Sequence, residues 1–191
     1  PRAGCPQALL CHQPYFVYDP EEQPKRVWYR RPEVRMTLAR FRRGLPYTNF
    51  VFCQTETMVK RFRGAFDFQG EMAVLPNAVS RFATEGDPAR PATLASLAGK
   101  FPLLCLTKYY IHKNLHVLVD MFEQFGEQLR DVVVVLTLTP GDDEAAPAFL
   151  RRIARSKARD HFVNVGRIDQ SELAGYFRHC RALIMPSVLE S

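Results

Sequence analysis

Short apolar runs alternate with amphipathic stretches along most of the chain. ALLCHQ, TNFVFCQT and MAVLPNA read as buried strands, being brief, apolar and bounded by polar, Pro or Asn breakers. Between them, EVRMTLARFRR and TETMVKRFRGAF carry helical spacing. After Asn77 the period lapses into SRFATEGDPARPATLASLAGK, whose Ala, Pro, Gly and Thr content reads as a linker. From Phe101 the alternation returns more cleanly: strands FPLLCLT, DVVVVLTLT, HFVNVG and RALIMPS are separated by helices NLHVLVDMFEQFGEQL, DEAAPAFLRRIARSKA and QSELAGYFRHC. Continuous apolar strands interleaved with helices predict a parallel sheet covered on both faces, with right-handed crossovers. Asp169 followed by Glu172 has the spacing of a helix capping box.

This pattern divides the chain into 1–80, a linker at 81–100, and 101–191. At 191 residues and 47% hydrophobic content, a packed core is expected. A formal net charge of +6 suits an anionic ligand, a membrane surface or nucleic acid without choosing among them. The five cysteines, without a Cys-x-x-Cys pair, read as reduced and mostly buried thiols, an expectation of the cytosol. No apolar run reaches the roughly 18 residues of a membrane span. The start at Pro1 and the end at Ser191, directly after an apolar strand, read as those of a piece of something longer.

Candidate chemistry concentrates where strands meet helices. Lys108 follows the strand FPLLCLT, and Lys113 precedes the helix opening near Asn114. Ligands of open parallel sheets bind outside the carboxyl ends of the strands, where helix N-termini favour phosphate. The two cations could therefore hold a diphosphate, although lysines on a loop also arise by chance. No glycine-rich phosphate loop of the P-loop or dinucleotide type accompanies them. Asp142 and Asp143 read as partners of a helix N-terminal dipole, and Asn77 as a turn former.

Five segments in order, VFCQTETMVKRF, VLPNAV, LTKYYIHKNLHVLVDMF, HFVNVGRIDQSELAGYF and ALIMPSVLE, resemble the retaining family 4 glycosyltransferases. The resemblance implies an α/β chain of GT-B type: parts of two Rossmann-like, doubly wound parallel-sheet domains joined by a linker. The segment 1–80 would belong to the acceptor-side domain and 101–191 to the nucleotide-sugar domain. Where the family shows Gly-Arg and then Lys five positions on, this chain has Thr107, Lys108 and Lys113. Lys108 keeps the charge of that Arg but not its planar fork.

Other residues follow by the same resemblance. Glu190 would be the first Glu of the family's Glu, seven residues, Glu pattern, beside the donor sugar; a solvated carboxylate is the alternative. Gly166, Arg167 and Ile168 would meet the nucleobase, although a tight turn explains Gly166 equally. His12 would face the donor sugar across the cleft, or be a strand-end His satisfied by nearby backbone. The activity implied is transfer of a hexosyl group from a UDP- or GDP-sugar to a carbohydrate or lipid-linked acceptor, with retention, no cofactor and no required metal. A nucleotide-sugar epimerase of the same architecture and a non-catalytic binding module are the competing readings.

The stretch 25–44 holds eight Lys/Arg and one Glu, interleaved with Trp28, Tyr29 and Phe41. It suits peripheral contact with an anionic membrane face, or is a solvated helix face; no nucleic-acid module is recognised.

Overall fold

The computed structural model describes residues 4–19, 21–22, 32–78 and 88–189. Glu190 and residues 25–31 of the basic stretch lie outside the described residues, as do 81–87 of the expected linker. The chain separates into two compact units, Pro1–Ala78 with Val188–Ser191, and Val79–Ser187.

The first unit has a three-stranded parallel sheet, ordered β1 (Ala8–Cys11), β2 (Phe50–Cys53), β3 (Glu71–Val74). Helix α1 (Pro32–Gly44) lies between β1 and β2 in sequence, and α2 (Glu56–Phe66) between β2 and β3. Thr55 caps α2 by accepting the Met58 N–H at 3.2 Å, and Asp67 ends it in the left-handed region at φ 45°. Alternate strand residues Cys11, Val51 and Cys53 share a core with Met58 and Phe62 of α2. Phe41 of α1 closes that core against the rings of Phe62 and Phe66, at centroid separations of 6.1 and 5.1 Å. The stretch 75–78 adopts no turn. Asn77, expected to form one, instead accepts a 2.6 Å hydrogen bond from the Gln54 side chain, which joins the ends of β2 and β3.

In the second unit, α3 is Ala92–Ala95, β4 is Phe101–Cys105, α4 is His116–Phe125 and β5 is Val132–Leu136. They are followed by α5 (Ala146–Arg155), β6 (Phe162–Asn164), α6 (Gln170–His179) and β7 (Ala182–Leu183). All strand pairs are parallel, in the order β6-β5-β4-β7. Both faces are covered, which is why β4 and β5 read as unbroken apolar runs. Cys105, Val134 and Leu136 pack with Leu118, Phe122 and Phe149 of α4 and α5. The intervening Leu104 and Val135 pack with Leu94 of α3 and Tyr176 of α6.

Two expectations change here. The stretch 88–100, read as linker, is part of the second unit: Leu94 is wholly buried and Thr93 Oγ1 meets the Tyr176 hydroxyl at 2.8 Å. A four-residue helix burying one leucine leaves no period for the sequence to display. Asp169 is the N-cap residue of α6 by position, but its side chain makes no capping hydrogen bond.

Candidate functional site at the carboxyl end of the second sheet

Chain order runs outward from β4 through β5 to β6 and then returns to the other side of β4 with β7. The reversal falls between β4 and β7, and in such sheets the crevice beyond the carboxyl ends at that point is where ligands bind. A small crevice of about 10 Å³, room for roughly one water, occurs there, lined by Cys105, Thr107, Lys113, Met185, Pro186 and Ser187 among others. The Ser187 hydroxyl is buried and has no hydrogen-bond partner among the described residues.

Loops on the β5 side of the crevice are clasped by side chains. Thr137 Oγ1 accepts the Thr107 N–H at 3.0 Å and donates to the Thr107 carbonyl at 2.9 Å. Asn164 repeats the device one strand further out, accepting the Leu138 N–H and donating to the Leu138 carbonyl, both at 3.0 Å. Asp142 Oδ2 accepts the N–H groups of Tyr109 and Thr139 at 3.1 and 3.0 Å, and its Oδ1 accepts the Thr139 hydroxyl at 2.6 Å. Partial burial works against the ionised Asp142 carboxylate, but these hydrogen bonds and the charge of Lys108 outweigh it and hold its pKa below the usual value. Asp142 is thus a loop staple, where a helix-dipole partner was expected. Asp143 stays closer to that expectation, accepting the Ala145 N–H at 2.9 Å at the start of α5.

Lys108 sits between two residues, Thr107 and Tyr109, whose backbone N–H groups are both held in this way. Tyr109 is 3% exposed, and its hydroxyl lies 3.0 Å from His116 Nε2. Arg152 Nη1 lies 2.7 Å from His116 Nδ1. A guanidinium only donates, so Nδ1 accepts and the ring proton sits on Nε2, toward Tyr109. Burial first, then the charge of Arg152, push the His116 pKa down against the opposing pull of Asp120. Arg152 in turn pairs with Asp120 and, at 3.8 Å, with Glu123. The loop behind Lys108 is therefore tied into the packed body of the unit.

The structure places the nominated residues as follows. Lys108 is exposed and its charge bears on Asp142; Lys113 is half-buried and lines the crevice, with its charge acting on the Cys105 thiol. Both stand on one loop, but only Lys113 is among the crevice-lining residues. The helix expected to open at Asn114 starts at His116. A single 3-10 turn, Ile111–Lys113, precedes it and ends at Asn114 in the left-handed region, φ 52°. Asn tolerates that region better than most residues. Gly166 follows β6 at φ 70°, Arg167 is exposed, and Ile168 packs partly against the Leu94 and Tyr176 cluster. His12 lies one residue past β1 in the first unit and is exposed.

Sequence reasoning did not single out Thr137, Asn164 or Ser187. The available signal was a polar residue at or just beyond the end of each apolar strand, as in VVVVLT and FVN.

No protein-family model matches the chain, and no curated protein matches it by sequence. Solved structures do. Sucrose-phosphate synthase from Thermosynechococcus elongatus superposes with a TM-score of 0.71 at 16% identity, over 96% of this chain and 45% of that one. Anabaena HepE, solved with UDP, gives 0.62 at 14% identity over 95% and 47%. The E. coli trehalose-6-phosphate protein, bound with UDP-2-fluoro glucose, gives 0.64 at 12% over 95% and 47%. These neighbours are GT-B glycosyltransferases, and the fold of this chain is accordingly α/β of GT-B type. The chain spans a little under half the length of these structures.

Proposed function

We propose that the chain forms part of a glycosyltransferase that takes a nucleotide-sugar donor and binds its diphosphate at the carboxyl end of the second sheet. The observation that carries this reading is the position of Lys113 in the crevice where strand order reverses, beside the buried Ser187 hydroxyl, which has no partner among the described residues. The GT-B fold and neighbours solved with UDP or a UDP-sugar support it.

In this reading Lys113 and Lys108 stabilise charge that accumulates on the departing nucleoside diphosphate. Preorganised cations lower such a barrier because they need no reorientation as charge develops. The clasps at Thr107 and Tyr109 supply the preorganisation. Gly166, Arg167 and Ile168 follow β6, two strand spacings or roughly 10 Å from β4, a span that a nucleoside diphosphate can cover. Family resemblance assigns His12 and Glu190 to the donor sugar, hexosyl transfer with retention to a carbohydrate or lipid-linked hydroxyl, and no metal. The two lysines would then supply the positive charge a metal provides elsewhere.

Exposed Arg35, Arg40, Arg42 and Arg43 of α1 extend the proposal to peripheral contact with an anionic membrane at the cytoplasmic face. No helix among the described residues is long and apolar enough to cross a membrane. Calorimetric titration with UDP and GDP tests the central reading. Binding of either nucleotide that Lys113→Ala weakens is expected; no binding of either, or binding indifferent to Lys113, would overturn it.

A further inference from the structure

The opposite edge of the second sheet holds a pocket that the donor site does not use. It lies where β4 and β7 begin and α6 ends, with a volume of about 600 Å³. Arg90, Lys100, Arg178 and Arg181 line it, together with His179 and Cys180, and among the described residues no carboxylate lines it. Three of the four cations are arginines, which stay charged at any pH the protein meets. Among the described residues their partners are few. Lys100 lies 3.6 Å from Asp131 and donates to the Arg130 carbonyl at 3.0 Å; Arg90 donates one bond to the Leu94 carbonyl. Among the described residues the guanidinium groups of Arg178 and Arg181 make no hydrogen bond or ion pair, and both residues are exposed.

The walls are also fixed before any ligand arrives. The stretch carrying Arg90 is pressed against α6 at Gly175, where an added Cβ would stand 2.6 Å from the Ala89 carbonyl oxygen. His179 Nε2 donates to the Pro88 carbonyl at 3.1 Å, and Thr93 meets the Tyr176 hydroxyl at 2.8 Å. Holding like charges around one cavity is unfavourable unless an anion offsets them, and a preformed site loses little freedom in taking one.

The geometry points to a second anion site here, for a small ligand carrying two or more phosphate groups. Bidentate guanidinium forks match phosphate oxygens, and the volume falls within the range of small-molecule pockets. Cys180 contributes no nucleophile, because burial pushes its thiol up to about 11. Because the pocket is at the amino edge of the strands, its occupant would be an effector rather than the substrate of the carboxyl edge.

Tripolyphosphate is a suitable probe, titrated calorimetrically at low ionic strength into the Lys108→Ala/Lys113→Ala chain, so that the proposed donor site does not contribute. Binding is expected to persist there and to weaken about tenfold or more when Arg178→Gln/Arg181→Gln is added. Arg151→Gln/Arg155→Gln, on the exposed side of α5, serves as the charge-matched control and should leave it unchanged. Circular dichroism verifies that each variant is folded. Absence of binding, or equal losses from the two arginine pairs, would overturn the site. Because the probe is read in a chain lacking both lysines, this outcome is independent of the donor assignment.

Discussion

Thr137 holds Thr107 by both of its backbone polar groups, at 3.0 Å for the N–H and 2.9 Å for the carbonyl. One hydroxyl thus continues the pairing of β4 with β5 for a step beyond the last strand residues, Cys105 and Leu136. Its consequence is that Lys108, the next residue, departs from a fixed point. Thr137→Val keeps the shape and removes both bonds, so the Thr107 N–H is left unpaired at a cost of about 1–3 kcal/mol in stability. Chemical denaturation should show that loss, and UDP or GDP affinity should fall with it, while Thr137→Ser should retain most of both.

Lys108→Ala and Lys113→Ala are each expected to weaken nucleoside diphosphate binding about tenfold, the scale of one lost charge-assisted hydrogen bond. Lys113 lines the crevice and Lys108 does not, so the Lys113 variant should be the weaker binder. Titration calorimetry reads this order directly, and the reverse order would count against the crevice as the diphosphate position.

His116 confers a pH dependence whose sign is fixed by its surroundings. Its ordinary pKa is 6.5, and burial beside Arg152 holds it lower in the folded chain. Between the two values the unfolded chain binds the extra proton, so this contribution is complete above about pH 6.5 and is lost as pH falls toward the folded value. Urea midpoints at pH 7.5 and 5.5 should separate more in the wild-type chain than in His116→Gln. An equal separation would show that other groups govern the acid limb.

Gly175→Ala should be costly, although alanine favours helices in general. Its Cβ would meet the Ala89 carbonyl oxygen at 2.6 Å and Pro91 carbons at 3.1 Å. Forced displacement of that stretch is expected to cost about 1–3 kcal/mol, seen as a lower Tm. Gly64→Ala, in α2 with nothing within 4 Å, should be neutral or stabilising.

Vesicle flotation reads the membrane proposal. Retention on vesicles with anionic lipid and loss on neutral ones is expected, with Arg40→Gln/Arg42→Gln/Arg43→Gln reducing the former.

The strands were legible because burial on both faces writes an unbroken apolar signature, as in VVVVL of β5. The place of Lys108 and Lys113 beyond the end of β4 was legible because the apolar run FPLLC stops just before them. What stayed hidden depends on distant partners. Thr137 finds Thr107 thirty positions away, and Asn164 finds Leu138 twenty-six away, yet each looks like an ordinary loop residue. Leu94 gave no signal for the same reason: its significance lies in Leu104, Val135 and Tyr176, not in its neighbours along the chain.

The chain also comes with a convenient chemistry for attaching reporters. Burial pushes the thiols of Cys53, Cys105 and Cys180 from 9.0 to about 11, and raises Cys11 as well, whereas Cys5 is exposed. A two-unit rise cuts the reactive thiolate about a hundredfold near neutral pH. A maleimide fluorophore would therefore settle first on Cys5, giving a single-colour handle on the first unit without any cysteine having to be removed.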